Sequence, residues 1–135
     1  MKKYKILEHK ANLKIQVFGR TKEELFKNAL SGTASALRAE TENEKAKAKR
    51  ITIESVDLSA LLVDFLSEAL YLIQVHKEIY NEVRFIEFSD NELTAELNGQ
   101  KVERFGEDIK AVTHHGLDIR ENKKGIWEAT ILFDI

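Results

Sequence analysis

The densest apolar pattern in the chain lies between residues 57 and 73, and it predicts a helix that is buried over much of its circumference. Asp57 or Ser59 is a suitable N-cap, because either side chain can accept a hydrogen bond from the N–H groups of the first turn. The stripe is wider than a surface helix needs, so we expect a sheet to pack on this helix. Its members recur at helical spacing: Leu58, Leu61, Leu62, Phe65, Leu66, Ala69, Leu70, Leu72 and Ile73.

The polar side of this predicted helix holds one candidate functional residue. Asp64, Ser67, Glu68 and Lys77 remain on that side. A single acid on a helix is ordinarily a solvated surface residue, whereas Glu68 could also contact a partner. We therefore keep Glu68 as a candidate partner-contact residue.

The chain before this helix begins with two predicted strands and a first helix. Apolar and polar residues alternate over residues 4–8 and 12–18, which is the pattern of half-buried strands. Thr21 and Glu24 have the spacing of a capping box. In this motif the threonine hydroxyl accepts a hydrogen bond from the Glu24 N–H, and the Glu24 side chain reaches back to Thr21. Apolar residues at helical spacing then continue to about residue 39.

The remaining stretches are predicted to be loops, turns and strands. Residues 40–50 are polar and lack a stripe, so we interpret them as a solvated loop with a basic end, for which contact with RNA or a partner is the alternative. Residues 83–88 are apolar on both faces, which favours a central strand. Asn98-Gly99 is a strong signal for a two-residue hairpin turn. Residues 109–135 contain two apolar segments around a polar turn and predict a closing hairpin that runs to Asp134 and Ile135.

These elements predict an α+β fold with one domain over residues 1–135. Roughly seven mostly antiparallel strands would form a sandwich with two helices. The length of 135 residues allows one real core. The hydrophobic share of 43% and the charged share of 33% are typical of a globular protein.

Charge and composition also narrow the classes of function. The net charge of −2 argues against strong independent nucleic-acid binding, although a small RNA-binding module stays an alternative. The absence of cysteine excludes disulfides and thiolate metal sites. No apolar run approaches the roughly 20 residues of a membrane span, and the polar start does not look like a secretory signal. We therefore expect a cytoplasmic protein that does not contact a membrane.

The residues themselves suggest one catalytic alternative. No phosphate-binding glycine loop and no hydrolase or zinc-protease motif is present. His114 and His115 are adjacent, so on a strand they would point to opposite faces. His9, His115 and Asp134 could meet at strand ends and form a metal-dependent hydrolase site. The ordinary interpretation is that they are polar residues at the ends of strands.

Three stretches, residues 8–30, 57–72 and 109–135, together resemble the archease family. The blocks occur in the family's order and spacing and cover almost the whole chain. The resemblance implies a small α+β protein that assists the RtcB-type RNA ligase in tRNA splicing. It implies a non-enzymatic role, in which the protein promotes guanylylation and multiple turnover of the ligase and would meet RNA only through it. It also implies a chaperone-like modulator of tRNA processing.

The resemblance further implies a calcium site, since some archeases bind calcium between an acid of the first motif and the last two residues of the chain. His9 and Ala11 match the first motif, but Asn12 replaces its acid and Lys14 stands where glycine is common. We therefore expect calcium, or another divalent metal, to bind weakly. The implied ligands are Asn12, Asp134 and Ile135 with its terminal carboxylate.

A second set of residues carries the implied contact with the ligase. Lys110 matches the lysine of the family's VKA block, and it is otherwise a lone lysine on a strand, where a surface lysine is the ordinary interpretation. The resemblance implies that it lies at the ligase contact or near the ligase's nucleotide site. The candidate partner-contact residues are His9, Glu68, Lys110 and His115.

Overall fold

A computed structural model describes residues 1–8, 12–114 and 116–135, apart from the side chain of Glu8. This part of the chain contains two helices and nine strands, which confirms the α+β prediction. The elements are β1 Tyr4–Glu8, β2 Asn12–Gly19, α1 Lys22–Ala36, β3 Ala39–Lys45, β4 Lys49–Glu54, α2 Leu58–His76, β5 Glu78–Phe88, β6 Glu92–Phe105, β7 Ala111–Thr113, β8 Arg120–Glu121 and β9 Trp127–Asp134.

Both helices begin at the predicted capping residues. Asp57 caps α2, where its Oδ1 accepts from the Ala60 N–H at 2.8 Å. The Thr21 hydroxyl caps α1 by accepting from the Glu24 N–H at 3.0 Å. The Glu24 side chain was predicted to reach back to Thr21, but its Oε1 accepts from the N–H of Arg20, one residue earlier, at 3.1 Å.

The helices lie between two antiparallel sheets. The first sheet has the strand order β1-β2-β9-β7, with β8 also paired to β9. In the second sheet β6 pairs with β5 along one edge and with β3 and β4 in succession along the other. Helix α1 contacts β1, β2 and β9 of the first sheet and β5 of the second, while α2 contacts β7 of the first and β4 and β5 of the second. The core therefore fills the space around the two helices.

Helix α2 corrects one expectation from the sequence. By length and composition alone, its 19 residues could cross a membrane, although we expected no apolar run of that length. The interior helix of a globular protein passes the same test, so this is weak support for a membrane span. The core location of α2 explains its apolar character, because eight of its side chains are buried in the fold.

The predicted loop over residues 40–50 was wrong. This stretch forms β3 and the start of β4, and both strands pair with the same edge of β6. Every residue from Glu40 to Lys45 is exposed, so β3 buries no face and leaves no alternating pattern in the sequence. Its backbone pairing, which does not depend on side-chain polarity, holds the strand in place.

The predicted turn at Asn98-Gly99 was also wrong, and so was the central position of residues 83–88. Strand β6 runs straight through Gly99 and is the central strand, while the described part of β5 pairs only with β6. Opposite Gly99, β5 has a bulge between Tyr80 and Glu82. A Cβ on residue 99 would lie 1.7 Å from the Ile79 carbonyl oxygen, so glycine is needed here for close backbone approach rather than for a turn.

Candidate functional site

Four of the predicted site residues lie together at one end of the first sheet. In the register of β2 and β9, Asn12 lies directly opposite Asp134. On the other side of β9, Ala111 is the partner of Asp134, and the Lys110 N–H donates to the Asp134 carbonyl oxygen at 2.8 Å. Ile135 follows at the same end and is 41% exposed. We call Asn12, Lys110, Asp134 and Ile135 the sheet end.

Alternation along the strands determines which face of the sheet these side chains occupy. Leu13 and Phe133 are paired and buried, so they face the helices. Asn12 and Asp134 are their neighbours along each strand and therefore project from the opposite, outer face. Asn12 is half-buried and Asp134 is exposed. Lys14 lies two residues after Asn12 and projects from the same outer face.

The donor atoms of the sheet end fit a calcium ion poorly. Asn12 offers a neutral amide oxygen and Asp134 one carboxylate, whereas calcium takes six to eight oxygens and binds more tightly as their negative charge rises. Lys14 places a positive charge on the same face. Across the described ranges, no group of three or more histidine, aspartate, glutamate or cysteine side chains is positioned to hold a metal ion.

The histidine predictions can be followed only in part. His9 and His115 lie outside the described residues, so of the predicted hydrolase set only Asp134 is placed. His114 is described, and its Nε2 lies 3.8 Å from Asp64 Oδ1 on α2. The Ser55 hydroxyl donates to the other oxygen of Asp64 at 2.6 Å. His114 is thus directed to the first half of α2.

Glu68 lies one turn after Asp64 on α2 and is half-buried. Within the described part of the chain it makes no hydrogen bond or ion pair, so no such contact connects it with the sheet end. Its proposed role in partner contact remains a prediction.

A residue that the sequence did not suggest connects α2 with the sheet end. The Gln74 side-chain amide donates to the Ile109 carbonyl oxygen at 2.7 Å, next to Lys110. Tyr71 and Val75, which are 58% and 55% exposed, lie one turn apart on the same surface of this helix. The polar side chain of Gln74 indicates a surface position. Its hydrogen-bond partner lies 35 residues further along the chain, so no local sequence pattern predicts this contact.

A buried ionic cluster lies in the second sheet. Glu78 is 3% exposed, and its Oε1 accepts from the Tyr80 hydroxyl at 2.7 Å and lies 3.0 Å from Lys49 Nζ. Burial raises the pKa of the Glu78 carboxyl, but the hydrogen bonds from Tyr80 and Lys49 and the charge of Lys49 outweigh burial, and the net effect lowers it. Burial and the bond to Glu78 together raise the pKa of the Tyr80 hydroxyl. This cluster stabilises the ionised form of Glu78.

Together, the fold and the sheet end define a class of small α+β proteins with two helices between two antiparallel sheets and a polar sheet end open to solvent. The sequence profile of the Archease protein family (MTH1598/TM1083) matches residues 4–135. The chain therefore belongs to the archease family.

Individual relatives agree with this assignment. The chain is 35% identical to the protein archease of Methanosarcina barkeri over 142 residues, which cover 99% of this chain and 97% of the relative. The solution structure of Methanobacterium thermoautotrophicum protein 1598 superposes with a TM-score of 0.78 at 26% identity and covers 100% of both chains. The crystal structure of a Thermotoga maritima archease, described as a possible chaperone, has a TM-score of 0.71 at 19% identity, covers 97% of this chain and 96% of its own, and supports the fold.

Proposed function

We propose that this protein is an accessory factor that activates an RtcB-type RNA ligase in tRNA splicing, by promoting guanylylation and multiple turnover of the ligase. Membership of the archease family over residues 4–135 carries this proposal. The Thermotoga maritima archease is described as a possible chaperone, which agrees with a protein that acts on another protein.

The surface around the sheet end is suited to contact with a protein partner. Lys110 is exposed beside Asp134, and Gln74 connects this region with the helix surface that carries Tyr71 and Val75. Exposed apolar side chains next to polar ones are common in protein interfaces. The described residues offer no observation that favours the hydrolase or the RNA-binding alternative.

Two further parts of the proposal concern ligands and location. The ligase, and not this protein, would provide the contact with RNA, in line with the net charge of −2. Calcium would bind weakly at Asn12, Asp134 and Ile135, because the first of these is a neutral amide. We propose that the protein acts in the cytoplasm.

Ligation assays with the cognate ligase test this function. Purified protein is added at substoichiometric amounts, and both ligase guanylylation and the number of ligations per ligase molecule are measured. We expect both to rise, and we expect the protein alone to hydrolyse no phosphoester substrate. A heat-unfolded sample of the same protein is the control. Unchanged guanylylation and ligation would overturn the proposal.

A further inference from the structure

The outer face of the first sheet carries three successive rows of side chains that cross its strands. Residues directly opposite each other in the register belong to one row. The end row contains Asn12, Asp134 and Ala111. The leucine row contains Leu7, Lys14, Leu132 and Thr113. The lysine-5 row contains Lys5, Gln16 and Thr130. Lys14 therefore lies in the middle row, between the end row and the lysine-5 row.

The neighbours of Lys14 within its own row are apolar. Leu7 on β1 and Leu132 on β9 are its direct partners, and all three side chains are half-buried. Directly opposite Cβ atoms in antiparallel pairs are about 4.5–5.5 Å apart, so the methylene stem of Lys14 can pack between the two leucines. Leucine side chains cannot solvate an ammonium group. The charged end of Lys14 must therefore extend toward one of the adjacent rows or into water.

Charge selects between the two adjacent rows. The lysine-5 row presents the like charge of Lys5, whereas the end row presents the carboxylate of Asp134. Asp134 is the diagonal neighbour of Lys14, at about 7–8 Å between Cα atoms, which is within reach of a long side chain. Lys14 forms no ion pair within 4.0 Å with any described side chain, Asp134 included, so its charge is not taken by another carboxylate and acts on Asp134 across the longer diagonal distance.

We infer that Lys14 is the resident counter-charge of Asp134 on this face and takes the electrostatic place of a bound divalent cation. With Asn12 neutral, the charges of Lys14 and Asp134 cancel, so a calcium ion entering the sheet end finds no net attraction from these three side chains. This inference does not depend on the ligase. Positions 12 and 14 together make the natural protein a poor calcium binder.

Calcium titration calorimetry on five proteins tests this inference: the natural protein, Asn12→Asp, Lys14→Gln, the double variant, and Lys5→Gln. Lys5→Gln is the matched control, because it removes the same charge from the same face one row further from Asp134. We expect Asn12→Asp and Lys14→Gln each to tighten calcium binding about tenfold, and the double variant about a hundredfold. Lys5→Gln should change it by less than about twofold, because screening weakens the more distant charge.

Three results would overturn the inference. They are tight calcium binding by the natural protein, an equal effect of Lys14→Gln and Lys5→Gln, and no gain in the double variant. Urea unfolding of Lys14→Gln, Asp134→Asn and their combination gives a second measurement without metal. The effects on the unfolding midpoint should each be small, because water screens the two charges, but they should be non-additive, because the two charges act on each other. Full additivity would show that Lys14 and Asp134 do not interact.

Discussion

Glu78 in the second sheet and Asp134 in the first are both strand carboxylates with a lysine nearby, yet their surroundings differ. Glu78 is almost fully buried and has two fixed partners, the Tyr80 hydroxyl and the Lys49 ammonium. Asp134 is exposed, and the described side chains form no ion pair with it within 4.0 Å. A buried charge must be paired to be tolerated, whereas an exposed charge can be left for a ligand or partner.

The difference suggests that the two carboxylates have different roles: Glu78 and its partners contribute to folding stability, whereas Asp134 is available for binding. Removing a partner of Glu78 leaves a desolvated charge, so it should cost folding free energy. Changing the charges around Asp134 should alter binding but hardly alter the free energy of unfolding, because water screens them.

The largest effect is expected from Gly99→Ala, which disturbs the sheet that carries the Glu78 cluster. Residue 99 is the register partner of Tyr80, and a Cβ there would collide with the Ile79 backbone at 1.7 Å. Strand β5 would have to move away, at a cost of about 3 kcal/mol or more. Urea unfolding measures this cost. Asn98→Ala is the matched control and should change stability far less; equal effects of the two variants would show that β5 shifts freely.

A second variant compares the two carboxylates directly. Lys49→Met removes the cation beside buried Glu78 and should destabilise the protein by about 2 kcal/mol. This loss is smaller than that expected on breaking a fully buried ion pair, because Lys49 is partly exposed. Lys14→Met makes the same change beside exposed Asp134 and should cost under about 1 kcal/mol. Both are measured by urea unfolding at neutral pH. Equal losses would mean that burial does not distinguish the two sites.

The pH dependence of stability gives a smaller effect with a definite sign. The folded-state pKa of Glu78 lies below its ordinary value of 4.5, so ionised Glu78 stabilises the fold above that pH. This contribution is lost as the pH falls from about 4.5 through the folded-state pKa. Glu78→Gln should therefore show a flatter decline in stability than the natural protein between about pH 5 and 3. Parallel curves would contradict the lowered pKa, and Asp134→Asn serves as the exposed control.

Much of the fold could be predicted because its signals are local. The stripe of α2, the caps at Thr21 and Asp57, and the strands at both ends of the chain depend on periodicity and on neighbours three residues away. The prediction that Asn12 and Asp134 lie together came from the family resemblance, and the strand register places them opposite each other.

The elements that could not be predicted depend on contacts that no local pattern encodes. Strand β3 is fully polar because only its backbone is used in pairing. Gly99 has the sequence of a turn but serves a close approach between strands. The charges of Glu78 and Lys49 look solvated in the sequence, and only the folded structure shows that Glu78 is buried and that the partly exposed Lys49 reaches it. The same limit applied to Gln74, whose partner is Ile109.

The smallest effect on stability is expected at Lys110, where the effect on function should be large. Lys110→Ala keeps the main-chain bond to Asp134 and removes only an exposed side chain, so unfolding should change by less than about 0.5 kcal/mol. Stimulation of the ligase should nevertheless fall about tenfold or more, which corresponds to a loss of about 1.4 kcal/mol in the contact. Lys123→Ala in the turn before β9 is the matched control, because it removes the same charge from an exposed position at the opposite end of that strand. If both variants stimulate the ligase like the natural protein and melt normally, Lys110 is an ordinary surface residue and the partner contact lies elsewhere.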